Sequence, residues 1–175
     1  KINDDIYVSG NLGDSYLGLL VLKNKLKLNH RLKKYFINQY FMPNIQFKLA
    51  DQINKIANTS IDISDGLLAD LEKMINNQKL SYKLLLENIP ISSNLKKVLD
   101  FNKLPKINYV SNGDDYQILF TASKSKMRII EKIATNNSVK LTKIGSIQSY
   151  VKKSSIVDDK NLQISLKNKG YFHKF

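Results

Sequence analysis

The sequence lacks cysteine and tryptophan and contains only two histidines, His30 and His173. The absence of cysteine excludes disulfides, zinc–thiolate sites, iron–sulfur clusters and thiol nucleophiles. Neither histidine lies in a recognisable catalytic-triad context, which disfavours a serine nucleophile activated by histidine.

Long apolar runs are also missing. No stretch approaches the roughly 20 residues needed to cross a bilayer, and residues 1–5 do not resemble the hydrophobic region of a signal peptide. Of the 175 residues, 42% are hydrophobic and 25% are charged, which is an ordinary globular composition. We therefore expect a cytoplasmic protein with no membrane partner.

Acidic residues are scarce, because 15 Asp and Glu face 28 Lys and Arg and leave a formal charge of +13. Clustered cations bind nucleic acids by displacing counterions from phosphates. Base reading and bidentate phosphate contacts favour arginine, however, and Arg31 and Arg128 are the only arginines. The lysines are spread through nearly every segment. This pattern indicates a diffuse solvated surface, and we expect no nucleic-acid partner.

Proline is rare, with three residues in all, and no proline-rich linker, internal repeat or low-complexity tract divides the chain. We therefore interpret residues 1–175 as one domain. Hydrophobic spacing predicts strands at residues 5–9, 61–63, 80–86, 116–121, 139–144, 150–156 and 162–166. It predicts helices at residues 16–22, 32–40, 49–57, 67–75, 92–101 and 127–134. This mixed order predicts an α+β fold, a layered α/β sandwich with a mixed sheet.

The most informative stretch is Ile-Asp-Ile-Ser-Asp-Gly-Leu at residues 61–67, where a short buried strand leads into an amphipathic helix. Asp62, Ser64 and Asp65 therefore cluster at one strand-to-helix turn. Magnesium prefers oxygen ligands and often combines one or two carboxylates with substrate phosphates, and a helix N-terminus adds backbone N–H groups. The alternative is structural, since Ser or Asp before a helix is also a common N-cap.

A second acidic turn, Asn-Gly-Asp-Asp at residues 112–115, precedes another predicted strand. Taken alone it is an ordinary turn, but two acidic turns joined to strands suit Mg²⁺ and a polar substrate. In the loop at residues 10–15, two glycines relieve backbone strain and Asp14 is expected to be the N-cap of the next helix. The C-terminal aromatic cluster at residues 170–173 either covers a ligand or packs on the core.

Several motifs in order resemble the C-terminal domain of the thiamine-monophosphate kinase family. They are Tyr-Val-Ser-Gly at residues 7–10, Gly-Asp-Ser at 13–15, the block at 61–71, Asn-Gly-Asp-Asp-Tyr at 112–116, Ile-Gly-Ser-Ile at 144–147 and Gly-Tyr-Phe-His at 170–173. The family belongs to the superfamily of aminoimidazole ribonucleotide synthetase, whose members bind ATP with an N-terminal domain and complete the site with an α/β C-terminal domain.

The resemblance implies transfer of a phosphoryl group from ATP to thiamine monophosphate, giving thiamine diphosphate and ADP. It makes Asp62 and Asp65 ligands of Mg²⁺, gives Ser64 a contact with ATP, and gives Asp114 and Tyr171 contacts with the substrate. It also implies a partner region, the N-terminal ATP-binding domain, which is absent here, and a homodimer in the complete protein. The isolated chain is therefore expected to be inactive.

The chain departs from the family pattern in two places. Asp114 stands where family members usually have Glu, and the family's Pro-x-Pro-Arg reads Pro-Asn-Ile-Gln at residues 43–46. Two alternatives remain open at this stage. One is another ATP-using member of the superfamily, such as selenophosphate synthetase or a hydrogenase-maturation protein, and the other is a non-catalytic remnant or assembly domain.

Overall fold

A mixed sheet forms the centre of the computed structural model, which describes residues 1–76 and 78–164. Its six strands lie in the order β2-β4-β1-β5-β3-β6. The strands are β1 (Asp5–Ser9), β2 (Thr59–Asp62), β3 (Leu80–Leu85), β4 (Ile118–Ala122), β5 (Leu141–Ser149) and β6 (Ser155–Val157). All neighbours are antiparallel except β3 and β6, which pair in parallel. β2 is therefore an edge strand, and its last residue is Asp62.

Seven α-helices accompany the sheet in the described part of the chain. They are α1 (Asp14–Leu22), α2 (His30–Phe41), α3 (Ala50–Asn54), α4 (Leu67–Ile75), α5 (Ser93–Asn102), α6 (Ile107–Val110) and α7 (Met127–Asn137). No helix in this described part is long and apolar enough to cross a membrane. The predicted α+β class with a mixed sheet is confirmed.

The sheet buries both of its faces, as the alternation along β1 shows. Ile6 and Val8 point into a cluster with the apolar side chains of α4. Tyr7 points to the opposite face, where its ring stacks on Phe120 with centroids 5.3 Å apart, beside side chains of α3 and α7. Period-two alternation in a strand produces this division. A third cluster joins α1, α2 and α5.

Several elements differ from the sequence-based expectation. β5 continues past residue 144 to Ser149, and the strand predicted at 150–156 is reduced to β6 at Ser155–Val157. In the described part of the strand predicted at 162–166, only Gln163 forms an isolated bridge, to Val157. The helix predicted at 49–57 is a 3₁₀ turn followed by α3, which ends at Asn54. The chain turns early because the Asn58 N–H donates to the Thr121 carbonyl, 2.8 Å away, as it approaches β2. The short α6 was not predicted, because four residues carry too little periodicity to indicate a helix.

Candidate active site

The first acidic turn lies where the sequence places it, between the end of β2 at Asp62 and the start of α4 at Leu67. Ile63 anchors the turn to the protein core, because its side chain is fully buried beside α4. The predicted apolar face of α4 is also buried. The strand-turn-helix junction is therefore confirmed, and its polar residues lie at the rim of the sheet.

A buried aspartate of α4 shapes this turn. Asp70 Oδ2 accepts hydrogen bonds from the backbone N–H groups of Ser64, Asp65 and Gly66, at 3.0, 2.9 and 3.1 Å. The N-cap residue is Gly66, with a φ of 127° and no side-chain cap. Interpreting Ser64 or Asp65 as the N-cap was therefore wrong. These three N–H groups are also occupied, so they do not supply the phosphate-binding donors expected at this helix N-terminus.

Sequence analysis missed the role of Asp70, although a signal was present. Asp70 follows Leu67 by three positions and precedes Met74 by four, so it lies on the apolar face of α4. A carboxylate on a buried face requires hydrogen-bond partners. The preceding turn provides them.

Lys73, one turn further along α4, joins two of these carboxylates. Its Nζ contacts Asp65 Oδ2 and lies 2.9 Å from Asp70 Oδ1. The hydrogen bonds to both carboxylates raise the pKa of Lys73. Asp65 thus carries a neutralising cation, which the sequence analysis did not anticipate.

The structure brings the second acidic turn against the first. The Asp114 N–H donates to the Ser64 carbonyl at 3.0 Å, and the Tyr116 N–H donates to the Ile63 carbonyl at 2.9 Å. Gly113 lies so close that a Cβ there would be 1.9 Å from the Ser64 carbonyl oxygen. Backbone hydrogen bonds therefore hold the two acidic turns together.

The convergence has an electrostatic consequence at Asp114. Burial raises the pKa of its carboxyl, and the negative charge of Asp65 raises it further. Asp114 and Tyr116 also adopt positive φ angles of 66° and 50°, which side chains other than glycine rarely adopt. A bound cation would offset the repulsion between the two carboxylates.

An open cavity of about 720 Å³ lies beside the two turns. It is lined by Tyr16, Leu19, Lys23, Tyr40, Ser64, Asp65, Asn112, Gly113, Asp114 and Tyr116. Three of the predicted site residues, Ser64, Asp65 and Asp114, therefore share one cavity. Asp62 does not line it and is exposed at the end of β2. Tyr171, with the rest of the C-terminal cluster, lies outside the described residues.

The cavity's far wall comes from α1 and α2 and was not predicted. Tyr16, Leu19 and Lys23 follow one another at spacings of three and four residues, so they lie on one side of α1 and its C-terminal end. This spacing was available in the sequence. It does not by itself distinguish a cavity wall from a core face.

The loop before α1 corrects another expectation. Gly13, with a φ of 90°, is the N-cap residue, whereas Asp14 is the first residue of the helix. The Asp14 carboxylate instead accepts hydrogen bonds from Ser92 Oγ and Tyr35 OH, at 2.7 and 2.8 Å. The expected strain relief by glycine at residues 10 and 13 is confirmed by their positive φ angles.

The group that caps α1 comes from the second acidic turn. Asp115 Oδ2 accepts from the Gly13 N–H at 2.7 Å and Oδ1 accepts from the Ser15 N–H at 3.4 Å. These hydrogen bonds satisfy N–H groups that the first turn of a helix leaves without intrahelical partners. Asp115 thus ties the cavity's acidic wall to its helical wall.

The described carboxylates do not form a complete metal cage. Within residues 1–76 and 78–164, no group of three or more His, Cys, Asp or Glu side chains is placed to hold a metal ion. Magnesium often takes one or two protein carboxylates and completes its shell with water and phosphate oxygens. The donor chemistry at Asp65 and its neighbours fits such a partial site.

Comparison with solved structures places this fold in a known class. A crystal structure of Escherichia coli HypE matches 99% of this chain and 52% of its own, with a TM-score of 0.70 and 14% identity. Together with the closer neighbours below, it defines the aminoimidazole ribonucleotide synthetase-like fold. No protein-family model matches the sequence.

Within that class, the chain is homologous to the thiamine-monophosphate kinases and corresponds to their C-terminal part. The enzyme of Buchnera aphidicola subsp. Acyrthosiphon pisum is 34% identical over 175 residues, covering 99% of this chain and 53% of the relative. That of Aquifex aeolicus is 31% identical over 149 residues, covering 85% of this chain and 46% of the relative. The chain thus spans about half the length of these curated relatives.

The structural neighbours agree. Thiamine-monophosphate kinase from Stenotrophomonas maltophilia K279a has a TM-score of 0.77 and 27% identity, over 91% of this chain and 51% of its own. AaThiL complexed with AMPPCP and TMP has a TM-score of 0.76 and 28% identity, over 98% of this chain and 52% of its own.

Proposed function

We propose that this chain is the C-terminal part of a thiamine-monophosphate kinase and acts in the cytoplasm, where ATP is the phosphoryl donor. The terminal phosphate oxygen of thiamine monophosphate forms a bond to the γ-phosphorus of ATP as the bond to ADP breaks. The products are thiamine diphosphate and ADP. The supporting observation is homology over nearly the whole chain, with the Ile-Asp-Ile-Ser-Asp-Gly-Leu turn at the wall of a cavity.

In this proposal Asp65 and Asp62 contribute ligands to Mg²⁺. Asp65 lines the cavity, and Asp62 is exposed three positions upstream on the same turn. Bound magnesium would neutralise the phosphate charges between donor and acceptor. The remaining ligands would come from water, phosphate oxygens or the other half of the protein, because the described carboxylates form no complete cage.

The other predicted contacts are assigned by position and chemistry. Ser64 lines the cavity beside Asp65 and is proposed to contact ATP. Asp114 faces the same space and is proposed to contact thiamine monophosphate, together with Tyr171. Lys23 is a cavity cation that can attract a substrate phosphate in place of the family's arginine near residue 46. Direct phosphoryl transfer requires positioning and charge neutralisation more than a covalent nucleophile.

We further propose that the N-terminal ATP-binding domain covers an apolar segment beside the cavity, residues 41–47. Four apolar side chains lie close together in this segment and are exposed: Phe41 (66%), Met42 (72%), Ile45 (56%) and Phe47 (72%). Exposed apolar patches of this kind mark interaction sites. The segment follows Tyr40, which lines the cavity. A domain seated on it would therefore face the cavity as well.

The decisive experiment is reconstitution. The chain alone, mixed with ATP, Mg²⁺ and thiamine monophosphate, should form little or no thiamine diphosphate, because half of the site is lacking. Adding the N-terminal domain of the Buchnera relative, or extending the chain with its own upstream coding sequence, should produce turnover. Strong activity of the chain alone would contradict the two-part site, and no activity of the extended protein would contradict the kinase assignment.

Variants of the extended protein test the residue roles. Asp65→Asn and Asp62→Asn should each lower kcat at least about tenfold, the cost of roughly 1.4 kcal/mol of transition-state stabilisation. Asp51→Asn is the matched control, because Asp51 is an exposed carboxylate of α3 away from the cavity lining. Equal losses of kcat in all three variants would argue against metal binding at this turn.

The family resemblance also implies a homodimer of the complete protein. Sedimentation of the extended protein tests this expectation.

A further inference from the structure

Lys73 forms ion pairs with Asp65 and with the buried Asp70. Its side chain is 51% exposed, and it bridges Asp65, which is 22% exposed, and Asp70, which is 1% exposed. Asp65 lines the cavity, whereas Lys73 does not, so the lysine approaches the carboxylate from outside the cavity. The carboxylate proposed to bind a metal ion therefore already has a cationic partner.

We infer that Lys73 is an internal counter-ion that a divalent cation displaces from Asp65, so that Lys73 sets the affinity of the site for that cation. This inference rests on the metal-binding role proposed for Asp65. Lys73 acts as a positioning and tuning residue, since it touches neither the cavity nor a ligand.

The geometry allows the exchange without loss of the turn. Asp70 holds the turn through Oδ2 and holds Lys73 through Oδ1. If Asp65 turns to a cation in the cavity, Lys73 keeps its second partner and the three backbone hydrogen bonds remain. Asp70 is almost fully buried, so its charge needs compensating partners. Lys73 and the three N–H groups remain as those partners in both arrangements.

The charges indicate the direction of the effect. Lys73 stabilises Asp65 while the cation is absent, and its positive charge repels a cation that binds the same carboxylate. Both contributions weaken cation binding. An exposed ion pair contributes modestly, so removing the charge of Lys73 should tighten binding by about fivefold, a factor that corresponds to roughly 1 kcal/mol.

The test is Mn²⁺ binding to the chain itself, followed through the electron paramagnetic resonance of free Mn²⁺, with Mg²⁺ as competitor. Lys73→Met and Lys73→Gln should each bind Mn²⁺ about fivefold more tightly than the wild-type chain. Lys73→Arg should stay near the wild type. Lys132→Met is the matched control, since it removes one exposed lysine from α7 and makes the same change in net charge.

Two further measurements isolate the mechanism. In Asp65→Asn, replacing Lys73 should no longer tighten binding, because the shared carboxylate is gone. In the wild-type chain, saturating Mg²⁺ should shift the NMR signal of the Lys73 ammonium as its bond to Asp65 breaks, while Lys132 stays unchanged. Both readouts are independent of kinase turnover, so an inactive extended protein would contradict the proposed function and leave this inference standing.

Equal or weaker Mn²⁺ binding in Lys73→Met and Lys73→Gln would overturn the inference. So would equal tightening in Lys132→Met, which would indicate a general charge effect, or the absence of saturable binding in every variant. A Lys73 ammonium signal that does not respond to Mg²⁺ would also contradict displacement, even if affinities changed.

Discussion

Asp70 illustrates how one buried residue can organise a turn whose exposed residues carry the chemistry. Its side chain is fully buried, and one of its oxygens accepts three backbone N–H groups of the first acidic turn. Hydrogen bonds to a charged acceptor are stronger than neutral ones. Removing the acceptor leaves three backbone donors without this partner, one of them buried, which is costly.

We therefore expect Asp70→Ala to lower the free energy of unfolding by about 3 kcal/mol or more. Asp62→Asn should change it by less than about 0.5 kcal/mol, because Asp62 is exposed. Urea denaturation of the isolated chain measures both values. Similar stabilities for Asp70→Ala and the wild type would contradict the role of Asp70 in holding the turn.

The raised pKa of Asp115 leads to a second prediction at the residue scale, a dependence of stability on pH. Burial raises this pKa to about 8, against the opposing hydrogen bond from the Gly13 N–H. An unfolded Asp has a pKa of about 3.9. The folded state therefore binds the proton more tightly, so the stability associated with protonated Asp115 is present below about pH 4 and is lost as the pH rises through about 8.

Asp115→Asn should remove this dependence, because the amide stays neutral while its oxygen can still accept an N–H group. Between about pH 5 and about pH 8, the wild type should lose stability relative to Asp115→Asn, by at most about 1.4 kcal/mol per pH unit. Urea denaturation at several pH values gives the difference. Parallel stability curves would show that Asp115 does not titrate in this range.

At the scale of elements, the site depends on the contact between two turns next to β2 and β4, strands that are far apart in sequence but adjacent in the sheet. β2 and β4 pair in antiparallel fashion, with Asp62 opposite Ile118. The chain beyond this pair continues the contact through the Asp114 and Tyr116 N–H groups. Gly113 makes the approach possible, since a side chain there would collide with the Ser64 carbonyl.

Replacing Gly113 with Ala should therefore separate the turns. We expect a loss of about 2 kcal/mol in unfolding free energy, in the range typical of overpacking, together with weaker Mn²⁺ binding. Asn108→Ala is the control, since Asn108 is an exposed residue of the neighbouring α6 and does not line the cavity. If both variants behave alike, the close approach of Gly113 does not matter.

At the scale of the whole molecule, the many lysines of the sequence are not concentrated in the cavity. Among the described residues that line it, Lys23 is the one lysine. The formal charge of +13 is instead distributed over the sequence. A diffuse surface of this kind attracts polyanions weakly and without sequence preference.

We therefore expect weak binding to unrelated DNA and RNA oligonucleotides at low salt, and loss of that binding at physiological salt. Fluorescence anisotropy titrations at about 0.02 M and about 0.15 M salt measure this difference. Tight, sequence-selective binding at the higher salt concentration would contradict both the interpretation of the charge and the proposed kinase function.

The sequence by itself determined the features that depend on neighbouring residues. Alternation and helical spacing predicted β1, α2, α4 and α7, and the polar residues of the first acidic turn were correctly placed between β2 and α4. Turn chemistry predicted a second acidic turn before β4. Resemblance to a family then indicated that the two turns work together.

Only the tertiary structure decided which groups satisfy the buried charges and N–H donors. Asp115 caps α1 from 102 positions away in the chain, so Asp14, the local candidate, is released to bind Tyr35 and Ser92. Lys73 and Asp70 partner the first turn from within α4. Periodicity reports which face of an element is buried, but it does not report which partner the fold brings to that face, because that depends on the packing of the whole chain.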